Sequence, residues 1–439
     1  MKTLLVAVVL CATLAFSQER DSTAAPPAPD TLRHVLSVTV TGNTRTKDFV
    51  ILREMTLRPG APISRELIEY DKNRIYSLGL FNRVEIYAMP KDSAGADLLV
   101  DVNERWYLFP YPIFGLKDRD WGKAFYGVGL LHNNFRGRNE KLFASFIFGF
   151  DPSVSLYYRN AFLDETGTYF LEGRLSVSRV RNRSVEAKRL LGDFDERHFN
   201  TSATVGRRFG ISHTVWASLG YEVVNIPDNR LSQTLSPDGI DAYPVATAGY
   251  SLDTRDLREY PASGDYFRAG ISKFGWPSKP LDLVRYAADV RHFAPLPFGT
   301  TLGVRVFTDL VAGGRTPTYN RVYFGYGERI RGHFKEVMEG ENQFGAVAEF
   351  RVPLLTPRYF SVGFLPREFG LWRFGISAAV FADAGTVWFR GQPFALNDLA
   401  KGYGAGIHFL LPYSVVLRTE VAWNEARRSQ FIIDVGTSL

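Results

Sequence analysis

The sequence predicts a small α+β domain followed by an all-β, about sixteen-stranded antiparallel transmembrane β-barrel. Three observations predict it. From Trp106 to Leu439 short segments alternate apolar and polar side chains, with turn residues between them and no convincing helix. Lipid outside and polar matter inside a closed barrel demand that dyad period. The N-terminus reads as an export signal, and aromatic residues reach 14%, with 34 Phe and 21 Tyr, which suits interfacial girdles.

Residues 1–17 carry the signal. Lys2 supplies the positive start, Leu4 to Leu14 is almost wholly apolar, and Ala15-Phe16-Ser17 places small residues where a signal peptidase cuts. The apolar run is too short to span a bilayer as a helix. Cys11 lies inside it, after a Val9-Leu10 pair that lacks the small residue of a lipoprotein site. Plain secretion is expected, with a mature chain from about Gln18. Cys11 is the only cysteine, so a disulfide framework and thiol chemistry are excluded from the mature chain. Residues 18–33 contain Ala24-Ala-Pro-Pro-Ala-Pro29 and read as a semi-extended linker.

Residues 34–105 change character. Val35 to Thr41 alternates as a strand and stops at Gly42-Asn43. Thr46 is expected to cap a helix through Ile51 to Met55, ended by Pro59-Gly60. Ser64 is expected to cap a second, whose Leu67, Ile68, Ile75 and Leu78 recur at helical spacing before Gly79. Phe81 to Ala88 and Ala96 to Asn103 then read as strands.

Residues 106–439 form the barrel. In Tyr169 to Ser178, one face carries Tyr169, Leu171, Leu175 and Val177, the other Phe170, Glu172, Arg174, Ser176 and Ser178. Val415 to Asn424 sets Val415, Leu417, Val421 and Trp423 against Val416, Arg418, Glu420 and Asn424. A soluble sandwich also alternates, but export and the unbroken succession of strands favour a membrane. About 21 residues per strand and connection, with strands of about 9–11 residues, give roughly sixteen strands.

Several motifs now carry a resemblance. The β-α-α-β-β unit of residues 34–105, with Leu78 to Phe81 and Val102-Asn-Glu104, looks like a polypeptide-transport-associated (POTRA) domain. Asn133 to Asn139, Tyr250-Ser-Leu-Asp253-Thr-Arg255, Val380 to Trp388 and Phe431 to Leu439 are similar, in order, to segments of the BamA/TamA superfamily of outer-membrane assembly proteins. Arg331-Gly332-His333-Phe334, within Gly327 to Lys335, resembles that superfamily's loop signature, with histidine where phenylalanine or tyrosine is usual. Leu439 stands where many outer-membrane strands end in an aromatic residue. The resemblance implies that Arg331 folds into the barrel and is held by acids. Alternation independently turns Glu349 and Asp383 inward, so these are the expected partners.

Other chemistry is poorly represented. The seven histidines form no metal-ligand spacing. Gly402-Tyr-Gly-Ala-Gly406 is followed by no helix and reads as a crowded inner face of a strand. Neither an enzyme nor a cofactor is expected. The net charge of +6, from 52 Lys+Arg against 46 Asp+Glu, is scattered, whereas nucleic-acid binding needs clustered cations.

The resemblance implies insertion or translocation of polypeptides at the outer membrane of a diderm bacterium, with the POTRA domain in the periplasm. Unfolded outer-membrane or secreted polypeptides and the lipid bilayer would be the partners, with periplasmic or lipoprotein helpers also open. A passive pore and a two-partner-type secretion channel share the pattern. Pro110 and Pro112 delete two donors from one edge of the first barrel strand, so a weak seam against Phe431 to Gly436 is expected if that edge faces the last strand. The alternative is that the strand begins after Pro112. POTRA capture is expected along a free edge of its second or third strand.

Overall fold

A computed structural model describes residues 34–91, 95–117, 121–227, 233–276, 280–365, 367–437 and 439; the expected signal (1–17) and linker (18–33) lie outside them. The N-terminal domain packs two helices, α1 (Asp48–Leu52) and α2 (Arg65–Tyr76), on strands β1 (His34–Thr41), β2 (Phe81–Pro90) and β3 (Gly95–Glu104). Ser64 caps α2 by accepting the Leu67 N–H at 3.2 Å, and Gly79 leaves the helix at φ +73°, a conformation that costs glycine nothing. Thr46 does not cap α1. Lys47 holds the cap position without a side-chain bond, while the Thr46 hydroxyl lies 3.0 Å from that of Tyr107 and accepts from Asn134. Tertiary bonding to the barrel outcompetes the local cap, and the helix stops well before Pro59.

Strand order is β1-β3-β2. β3 is therefore central and cannot be an edge, which corrects one of the two expected capture strands; β2 and β1 are the edges. Leu98, Val100 and Val102 of β3 lie on one face and are buried in the core against the helices.

The barrel begins with β4 (Leu108–Leu116), β5 (Ala124–Phe135), β6 (Glu140–Gly149), β7 (Ser153–Asn160), β8 (Tyr169–Arg181) and β9 (Asp195–Phe209). It continues through β10 (His213–Asn225), β11 (Ile240–Asp253), β12 (Gly264–Gly275), β13 (Asp282–Pro295) and β14 (Thr301–Gly313). After a small ribbon, β15 (Val322–Phe324) with β16 (Met338–Gly340), come β17 (Asn342–Ser361), β18 (Leu371–Trp388), β19 (Ala400–Leu411), β20 (Val415–Asn424) and β21 (Ser429–Val435). Sixteen of these form one sheet, β4 at one end and β21 at the other, each antiparallel to its neighbour. The sheet curls on itself: Phe109 of β4 meets Tyr413, in the turn before β20, at 5.9 Å between ring centroids. Outward positions such as Tyr126, Val128, Leu130, Phe146 and Phe148 are exposed and apolar, the surface lipid would cover. Among the described residues two short α-helices interrupt the connections, against expectation. α3 (Val185–Leu191) is capped by Ser184, and α4 (Arg367–Gly370) lies in the turn before β18; both are too short for a periodic signal.

Candidate functional site

Three features of the barrel and its docked domain bear on function. The first is the connection between β14 and β17, which enters the lumen. Phe324 and Ile330 bury themselves beside Phe307, and the chain then presents Arg331, 3% exposed. Its Nε and Nη2 donate to the two oxygens of Asp383 at 2.8 and 2.7 Å, a forked pair. Nη1 donates to Glu349 at 2.7 Å and Glu420 at 3.0 Å. Phe381 lies beneath the guanidinium, 3.5 Å from its centroid. The structure thus brings Arg331 to both acids expected from alternation and adds a third. Arg418 and Glu420 were already readable as inward residues, but nothing in spacing tied β20 to the loop.

The acids are shared further. Arg351 donates to Glu349 at 2.8 Å, and Arg418 donates to Glu420 at 3.2 Å. Tyr260, from the turn after β11, reaches His408 at 3.0 Å and lies under Arg351. Glu349, His408 and Glu420 place ligand-type atoms within 4.8 Å of one another. A metal does not fit there, because the Arg331 guanidinium already takes the central position between the two carboxylates.

The rest of the motif grips the last strands. Gly332 adopts φ +98°, and a Cβ on it would lie 2.7 Å from the Trp423 carbonyl. His333 sits 2.8 Å from both Glu336 and Glu425, the latter in the β20–β21 turn. The Phe334 N–H donates to the Gln430 side chain on β21, and its ring packs by Phe381, Ala422 and Ile432. Gly402 makes room: a Cβ there would sit 1.4 Å from the Arg331 carbonyl oxygen. The alternate glycines of β19 are a crowded inner face, and the loop is what crowds it.

The second feature is the seam. The Asn133 N–H donates to the Tyr107 carbonyl, and β4 pairs with β5 in unbroken register. Antiparallel residues alternate between their two neighbours, so Tyr107, Phe109, Tyr111 and Ile113 bond β5, and Leu108, Pro110, Pro112 and Phe114 face away. Both prolines lie within β4, and both missing donors fall on its free edge. On the other end, the Gly436 N–H donates to Val416 and the Asn424 N–H to Arg428, so Phe431 and Ile433 point their backbone groups at the seam. Gly436 does not face it. At φ +101° it ends β21, earlier than the strand to Leu439 expected from sequence, and Leu439 packs inside against Phe293 and Val347. Arg418 joins both features: it donates to Asp434 and the Gly436 carbonyl, each at 2.7 Å. No pairing links β21 to β4 among the described residues.

The third feature is the docked N-terminal domain. Tyr250, Asp253 and Arg255 do not approach the loop. Tyr250 faces outward to His213 at 2.7 Å, and Asp253 is forked by Arg255, while its carbonyl accepts from Arg74 of α2 at 3.1 Å. Beside it Glu54 is buried and pairs with Arg74 at 2.8 Å and Arg208 of β9 at 3.2 Å. Burial pushes the Glu54 carboxyl up, but Arg258, Arg208, Arg74 and Arg53 outweigh it and hold the group at about 2. Phe49 stacks edge-on to Phe162 of the β7–β8 turn. Sequence reasoning missed this interface, since a lone Glu54 on a helix end carries no spacing signal.

A periplasmic-type α+β domain docked under a sixteen-stranded antiparallel barrel, with a charged loop clasped inside, defines the POTRA-and-barrel class. The sequence matches the Omp85 superfamily domain over residues 134–439 and the POTRA domain described as surface antigen variable number repeat over 34–105. The chain belongs to the Omp85 superfamily. It is 23% identical, over 68% of its length, to the outer membrane protein assembly factor BamA of Nitratidesulfovibrio vulgaris, and spans 38% of that protein. The fold is similar to BamA of Haemophilus ducreyi lacking POTRA domains 1–3 (TM-score 0.52, 16% identity, 92% of this chain and 83% of that one). It is also similar to CdiB of Escherichia coli (TM-score 0.52, 11% identity, 96% and 92%).

Proposed function

We propose that this protein inserts or translocates polypeptides at the outer membrane, using its POTRA domain for capture and the β4–β21 seam as a lateral opening, without covalent chemistry or a cofactor. The observation that carries this reading is the seam. One edge lacks two donors through Pro110 and Pro112, and the other ends early where the chain turns inward at Gly436. The missing donors leave the seam weakly closed. The backbone groups of Phe431 and Ile433 on β21, unpaired among the described residues, are a template for an incoming strand, and a client's own folding into the bilayer supplies the driving force. The β2 edge, with Tyr87 and Met89 exposed, offers main-chain bonding to extended clients of any sequence.

The test is reconstitution into lipid vesicles with an unfolded outer-membrane barrel as client. Faster client folding than in empty vesicles is expected. A steady ionic conductance with no acceleration would favour the passive pore instead.

A further inference from the structure

The outer face of β8 and β9 changes character at one rim of the barrel. On β8, Leu175 and Val177 face outward and exposed, and Arg179 and Arg181 continue the same face. On β9 that face runs from Val205 through Phe199 to Arg197 and Asp195. The other face of these strand ends, Ser178, Glu196 and His198, lines the lumen beside Tyr319 and Tyr323 of the inserted connection. The arginines therefore stand outside the barrel. β8 begins just after Phe162, which meets Phe49 of the POTRA domain, so its far end lies at the opposite, extracellular rim.

Register brings the cations together. Arg179 lies directly across from Arg197, and Arg181 from Asp195. Cβ atoms of such partners are about 4.5–5.5 Å apart, and like charges so placed repel. Asp195 is already shared: it accepts from Arg179 Nε at 2.8 Å and lies 3.0 Å from Arg181 Nε. Asp193 is taken by Lys188 at 3.0 Å. Arg197 has no carboxylate partner among the described residues, although it lines one pocket of about 290 Å³ with Arg179 and Arg181. Arg181 and Lys117 also share the Phe150 ring, at 5.9 and 5.0 Å from its centroid, which extends the basic rim towards β4.

We propose that this rim binds the phosphate headgroup of a lipid in the extracellular leaflet, seated between Arg179 and Arg197. A phosphate offers acceptor oxygens to two guanidinium forks at once, and its negative charge offsets the repulsion that the register imposes. The position selects a lipid over a soluble ester. Val177 and Phe199 are themselves cross-strand partners, and both are exposed. They lie two residues from the arginines, about 7 Å along each strand, on the side where the apolar belt meets lipid. Acyl chains would cover them while the phosphate stays at the rim. A soluble anion would leave that apolar contact unused.

Native mass spectrometry of the full-length protein in detergent, titrated with dioleoyl phosphatidic acid or dioleoyl phosphatidylcholine, tests this. Phosphatidic acid is expected to bind more tightly, and to weaken at least about tenfold in Arg179→Gln/Arg197→Gln. Arg174→Gln removes the same charge from the inward face of β8, where Arg174 lies 5.5 Å from the Tyr157 centroid, and is expected to change nothing. Heat-modifiable electrophoretic mobility reports folding, and the single variants serve if the double one fails to fold. Equal affinity for the two lipids, or affinity for phosphatidic acid that survives the double substitution, would overturn the proposal. So would displacement of phosphatidic acid by an equal concentration of glycerol 3-phosphate, which would mark a general anion site without a lipid contact.

Discussion

At the residue scale, Arg331 is a buried cation that donates to three carboxylates. Removing it leaves the buried Asp383 without a cation among the described residues, while Glu349 keeps Arg351 and Glu420 keeps Arg418, at a cost of about 3–5 kcal/mol. Arg331→Ala is therefore expected to lower the urea midpoint of the folded barrel strongly, and Arg331→Lys to recover only part, because an ammonium cannot fork Asp383. Equal midpoints for all three would refute the clasp. Gly402→Val should expel the loop tip, since a Cβ would overlap the Arg331 carbonyl; a cysteine placed at Ile330 would then react with a water-soluble maleimide that it otherwise resists. Glu54 makes a pH prediction. Its carboxyl is held below the usual 4.5, at about 2, so its stabilising contribution is complete above about pH 4.5 and is lost as pH falls through about 2. POTRA docking, followed by crosslinking yield, should weaken across that window, and Glu54→Gln should remove this acid dependence while weakening docking at neutral pH. Alternation made Glu349 and Asp383 readable as partners because a strand's period fixes which side faces in. Glu420 stayed hidden because its contact depends on how far the loop reaches, which no local pattern encodes.

At the element scale, β4 and β21 are the two strands of the sixteen-stranded sheet with an unshared edge among the described residues. Pro110→Ala and Pro112→Ala together return two donors to that edge. Added amide protection along Phe431 to Val435 in hydrogen exchange is expected, with slower client folding; unchanged exchange would mean that the prolines do not limit the seam. The sequence placed the two prolines at alternate positions, but which neighbour they deprive is fixed by the Tyr107–Asn133 bond, a matter of tertiary register. The same limit explains the strand expected to run to Leu439, whose continuing alternation concealed the turn at Gly436. The mistaken edge strand has another cause. Strand order in a three-stranded sheet follows from parallel pairing of β1 with β3, which periodicity does not report.

At the scale of the whole molecule, the architecture was readable because one rule, polar inside and apolar outside, repeats through sixteen strands. The interface between domains was not, since it rests on single residues such as Arg74 and Arg208. A continuous polar chain now runs from Arg331 through Glu420 and Arg418 to Asp434 and Gly436. The loop tip is thereby tied to the strand that borders the seam. The proposed function requires this seam to open. Its direct test is a disulfide between cysteines scanned along β4 and Phe431–Val435, in a chain whose only native cysteine is Cys11. Client insertion in vesicles is then measured before and after reduction. A folded, heat-stable barrel that is inactive when oxidised and recovers on reduction is expected. Undiminished insertion by the fully crosslinked protein would contradict it.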